Sequence, residues 1–166
     1  MEKIKNFGLY LIVPLAFIIG LIWFSGQTVK DNQSALGPKN PIIGITESRF
    51  NFNDVSIADG VIKHYFLIKN ASAEPVVITK IYTSCMCTSA EIKVGFDRKG
   101  PFGMPGHGFT PPVDLTVNPG EEGQLIVTFD PAAHGPAGVG KIERSIFIEA
   151  KNYAPVEFRI SANVTP

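Results

Sequence analysis

After residue 41 the chain alternates between apolar and polar side chains with a period of two. Phe50 and Phe52 are separated by Arg49, Asn51 and Asn53. In residues 61–70, Ile62, His64, Phe66 and Ile68 share one face, and Lys63, Tyr65, Leu67 and Lys69 share the other. Apolar runs recur at residues 76–82 and 113–117. They recur again at Leu125, Val127 and Phe129, at Ile142, Ile146 and Ile148, and at Val156, Phe158, Ile160, Ala162 and Val164. Successive side chains of a strand point to opposite faces, so this period predicts strands with one buried face. Turn formers separate the runs, notably residues 70–75 (NASAEP), Asn118-Pro119-Gly120-Glu121 and Asp130-Pro131. No helical period is present in this region. About seven short strands at such spacing predict an all-β fold, an antiparallel β-sandwich. The Cys…Trp…Cys spacing of antibody domains is absent.

Two stretches break the pattern. Residues 95–112 (GFDRKGPFGMPGHGFTPP) are rich in glycine and proline and read as a long loop, a feature often tied to function. Residues 7–24 (FGLYLIVPLAFIIGLIWF) carry no charge. At about 1.5 Å per residue they just span a hydrocarbon core as a helix. Lys3 and Lys5 precede them, which predicts a cytoplasmic N-terminus and an exported C-terminal part. Tyr10 and Trp23 sit near the two ends, where aromatic rings favour the membrane interface. A cleaved signal peptide is the rival, but Trp23 or Phe24 would fall where cleavage needs a small residue. The expected organisation is a cytoplasmic N-terminus and single transmembrane helix over residues 1–26, a polar linker over residues 27–41, and an extracytoplasmic domain over residues 42–166.

Fifteen basic and fifteen acidic side chains leave no net formal charge, and no basic block suggests nucleic acid. The chemistry concentrates elsewhere. Both cysteines lie in Thr83-Ser84-Cys85-Met86-Cys87-Thr88, and the loop at residues 95–112 holds Met104 and His107. Thiols, thioethers and imidazole bind soft or borderline metals. In an extended strand Cys85 and Cys87 share a face, whereas Met86 joins them only if the backbone turns. The expected ligands are Cys85, Cys87 and His107, with Met104 as a fourth. Met86 and His134, the latter in a turn-rich connection, are held in reserve. Sulfur donors favour Cu(I), and zinc is the runner-up. His64, among Ile62, Phe66 and Ile68, is expected to be a half-buried core histidine with a hydrogen-bond partner.

Asn70, Pro75 and Ile78-Thr79-Lys80 running into Ser84-Cys85-x-Cys87-Thr88 resemble the bacterial family catalogued as domain of unknown function 1573. So do Asn118-Pro119-Gly120-Glu121, Val127-Thr128-Phe129-Asp130-Pro131 and the final strand at residues 160–164. The resemblance covers roughly residues 50–164. It implies an immunoglobulin-like sandwich of the major-sperm-protein type in an envelope protein, and it implies no activity. The chain departs from the family in having Met86 where glycine is usual, and in the Met-Pro-Gly-His loop, which looks like an insertion.

Three functions compete. One is a membrane-tethered module binding Cu(I) or Zn(II). Another is an interaction or envelope-assembly scaffold with no metal, since sandwich edge strands can pair with another envelope protein. The third is a thiol redox protein, which needs a thiolate stabilised by a nearby cation. Lys80 and Lys93 are the nearest in sequence. No triad, phosphate loop or paired-carboxylate pattern stands out, so an enzyme is not expected.

Overall fold

The computed structural model describes residues 39–107 and 111–166. Ten strands form in chain order: β1 (Ile42–Gly44), β2 (Arg49–Ser56), β3 (Ile62–Asn70), β4 (Val76–Thr83), β5 (Thr88–Val94), β6 (Asp97–Phe102), β7 (Leu115–Val117), β8 (Glu122–Phe129), β9 (Gly140–Ala150) and β10 (Val156–Thr165). They make two five-stranded sheets, ordered β1-β3-β8-β5-β6 and β2-β10-β9-β4-β7. The expected sandwich is therefore present, with more strands than the alternation predicted.

The inward residues are those the period of two selects. Phe66, Ile68, Ile92, Leu125 and Val127 from the first sheet meet Ile78, Ile81, Ile146, Ile148, Phe158 and Ile160 from the second, all fully buried. Phe66 and Phe158 bridge the sheets with ring centroids 5.2 Å apart. His64 lies beside this core, its ring stacked on Phe50 at 3.6 Å between centroids. Its Nε2 is 3.0 Å from Glu47 Oε1, a close contact rather than an aligned hydrogen bond.

Three expectations need correction. Residues 95–112 are not wholly a loop, because β6 occupies part of them. This strand is exposed except at Phe102 and carries no apolar alternation. Backbone pairing with β5 holds it at the edge of its sheet, where one face needs no apolar cover. The sandwich is also not purely antiparallel, since β2 runs parallel to β10. The two strands are far apart in sequence, and no tight turn dictates their direction. Finally, the ordered domain begins before residue 42. Asn40 is buried, accepting from Ile42 N–H at 3.0 Å and donating to the Ile148 carbonyl at 3.3 Å.

Residues 7–24, the expected anchor, lie outside the described residues. Among the described residues no helix is long and apolar enough to cross a membrane.

Two changes of sheet position the site. The chain leaves the second sheet at the end of β4 and enters the first at β5, then leaves the first at the end of β8 and enters the second at β9. Thr88 pairs with Phe129, and Thr83 pairs with Ile146. The two crossings therefore lie side by side at one end of the sandwich.

Candidate metal centre

The cysteines occupy the β4–β5 crossing, which is a tight turn rather than a continuing strand. Thr88 N–H donates to the Cys85 carbonyl at 3.2 Å, closing the turn. The buried Thr83 hydroxyl braces it from beneath, 3.0 Å from the Cys85 carbonyl and 2.9 Å from the Thr88 carbonyl. Ser84 fastens it to β9: its N–H donates to the Ser145 carbonyl and its hydroxyl accepts from Ser145 N–H, both at 2.9 Å. The turn brings the two sulfurs to 2.7 Å.

The β8–β9 crossing supplies the imidazole. Asp130 N–H donates to the Cys87 carbonyl at 2.9 Å, which pins this connection to the cysteine turn. The Asp130 carboxylate accepts from Ala132 N–H at 2.9 Å and turns the chain. His134 follows, with Nε2 3.2 Å from Cys85 Sγ. A Cβ at Gly138 would come within 3.0 Å of the His134 Cβ, so the bare glycine gives the histidine its room. The ligand atoms of Cys85, Cys87 and His134 all lie within 4.8 Å of one another.

Arg144 completes the group from β9. Its Nε donates to Cys87 Sγ at 3.3 Å. The two thiols then diverge. Burial opposes ionisation of Cys85, but hydrogen bonds from Cys87 and His134 and the Arg144 charge outweigh it, lowering the thiol to about 7. Burial and the neighbouring Cys85 push the Cys87 thiol up. Cys87 is buried, Cys85 half-buried and His134 exposed, so the cluster opens to solvent on the Cys85–His134 side.

The structure thus unites Cys85 and Cys87 with His134, the reserve histidine, rather than with His107. The loop bearing His107 does reach the cysteine turn, since Thr83 N–H donates to the Gly103 carbonyl at 3.2 Å. His107 itself is exposed, its N–H donating to the Met104 carbonyl at 3.1 Å, and it is not in the cluster. Met104 is half-buried. Met86 sits within the turn and is 57% exposed. Arg144 was not among the residues singled out by the sequence. The signal was present: it holds the same face of β9 as Ile142, Ile146 and Ile148, where a cation is out of place.

Fold and site together define an all-β, immunoglobulin-like two-sheet domain with a Cys2His cluster able to coordinate a metal ion at one end. Residues 43–100 match the model of a family described as protein of unknown function (DUF1573). No curated protein matches the chain in sequence. Among solved structures, a protein of unknown function from Porphyromonas gingivalis W83 is similar, with 15% identity and a TM-score of 0.53. The match covers 77% of this chain and 48% of that protein, so the chain spans about half its length. The ASH / PapD-like domain 7 of human CEP192 matches with 11% identity and a TM-score of 0.46, over 77% of this chain and 87% of that one. At these identities the likeness is one of fold alone.

Proposed function

We propose that this is a soft-metal-binding protein, tethered to the outer side of a membrane by residues 7–24, that holds Cu(I) between Cys85, Cys87 and His134. The observation that carries the reading is the convergence of two thiols and an imidazole from two separate crossings within 4.8 Å. Thiolate donors favour Cu(I), and imidazole accepts it. Zinc takes the same three ligands plus one more, commonly water. A small opening of the turn brings the sulfurs from contact to the separation that two metal–sulfur bonds of about 2.3 Å require. The tether follows from the uncharged run and the preceding lysines. The role is binding rather than catalysis.

The test is a competition titration of the reduced, detergent-solubilised full chain against a chromophoric Cu(I) chelator, repeated with Zn(II). The expected result is one Cu(I) per chain, abolished in the Cys85→Ser/Cys87→Ser variant. His134→Ala should weaken it by about tenfold or more, since even the loss of a partner that only orients a ligand costs about that much. His107→Ala should leave it unchanged. A double-cysteine variant that binds as tightly as wild type contradicts the reading.

A dithiol–disulfide couple is the second reading, favoured by the contact between the sulfurs and by the lowered Cys85 thiol. The pair would give two electrons and two protons to a disulfide of another molecule, forming a Cys85–Cys87 bond. Mass spectrometry after incubation with oxidised glutathione distinguishes it, since a chain that stays fully reduced is incompatible with that role.

A further inference from the structure

Arg144 occupies a position that its strand reserves for apolar side chains. It shares the inner face of β9 with Ile142 and the fully buried Ile146, and its register partner on β10 is the fully buried Ile160. Among the described residues it forms no ion pair with a carboxylate, although Arg98 and Arg159 both do. Among the described residues its closest polar contacts are a carbonyl and a thiol, and the second thiol, Cys85, also acts on it. Nη1 donates to the Glu143 carbonyl at 2.9 Å, and Nε donates to Cys87 Sγ at 3.3 Å. A half-buried guanidinium without an anion is costly, so a cation retained there calls for a negative partner. The group it faces is the dithiol.

We infer that Arg144 is a specificity-determining residue whose fixed charge favours a monovalent over a divalent ion in the Cys85–Cys87–His134 site. The inference rests on the metal reading above. Cysteine binds metals as thiolate, so both sulfurs are anionic in the loaded site. Two thiolates with Cu(I) leave one negative charge, which Arg144 neutralises. Two thiolates with Zn(II) leave none, and Arg144 then adds an unbalanced positive charge beside the ion. The same side chain therefore stabilises the Cu(I) complex and gives no such stabilisation to the neutral Zn(II) complex. Its hydrogen bond to Cys87 also orients that sulfur, as outer-shell partners of metal ligands do. Arginine suits the task because it stays charged when half-buried.

The experiment measures Cu(I) and Zn(II) affinities of the reduced full chain in detergent, by chelator competition at low salt, for wild type, Arg144→Met and Arg144→Lys. Arg144→Met keeps most of the side-chain volume and removes the charge. It should lower the Cu(I)-to-Zn(II) affinity ratio by about tenfold or more, as expected for one charge removed at contact distance in a half-buried site. Arg144→Lys should restore most of the ratio. Equal losses for both ions, with no rescue by lysine, would mark Arg144 as merely structural and overturn the inference. An unchanged ratio in Arg144→Met overturns it as well, while leaving Cu(I) binding by the cluster intact. A wild type that binds neither ion removes the metal reading itself, and this inference with it.

Discussion

Cys85 and Cys87 are two residues apart and chemically unlike. Cys85 is half-buried beside His134, while Cys87 is buried beneath Arg144. Thiolate is the reactive form and its fraction rises with pH, so a lowered pKa shifts reactivity toward acid. In the reduced, metal-free chain, iodoacetamide should modify Cys85 with a half-maximal rate near pH 7, because its thiol is lowered to about 7. Cys87 should reach its half-maximal rate on the alkaline side of its ordinary value of 9.0, since its thiol is raised. Peptide mass spectrometry across a pH series reads both, and a Cys87 that is the faster at pH 7 contradicts the assignment. At this scale the two thiols were legible from residue type alone. The choice between His107 and His134 was not, because it depends on which crossings share the cluster, a property of topology and not of local sequence. Arg144 was legible in principle as the charged member of an isoleucine stripe on β9.

At the scale of elements, the cysteine turn is the part that matters most. A strand continuing through residues 84–87 would place Cys85 and Cys87 on one face, at the spacing of alternate residues. The turn instead folds their sulfurs into contact, and Thr83 beneath it supplies the hydroxyl that meets two of its carbonyls. Thr83→Val keeps the shape and removes the single hydroxyl proton that those two carbonyls share, while the Cys85 carbonyl keeps its bond from Thr88 N–H. It should cost about 1 kcal/mol of stability, the usual net value of one hydrogen bond. Urea unfolding measures the cost, and a variant as stable as wild type would show that other contacts hold the turn. Strands β3 and β10 were legible because they are half-buried and alternate. Strand β5 also alternates, with Thr88, Ala90, Ile92 and Val94 inward, but small and polar members weaken its signal. The edge strand β6 left no apolar pattern to read.

At the scale of the whole molecule, the sandwich acts as a frame that sets two crossings next to each other. Sheet order and register fix the arrangement: β8 pairs with β5 while β9 pairs with β4, so these two passages between the sheets fall at the same end. The backbone bond from Asp130 to Cys87 then fastens one crossing to the other. An ion bound there ties residues of both crossings together, and by mass action it favours the folded chain. Fold class was legible from the period of two and the turn residues. The parallel pairing of β2 with β10 was not, since it depends on contacts between the two ends of the domain.

The central claim is that Cu(I) sits between two sulfurs and one imidazole nitrogen. X-ray absorption at the copper edge, on the full chain loaded under reducing conditions, tests it most directly. Two sulfur scatterers and one nitrogen are expected around a monovalent ion, with the nitrogen lost in His134→Ala and retained in His107→Ala. A copper shell of nitrogen and oxygen alone, or one unchanged by Cys85→Ser/Cys87→Ser, would contradict it.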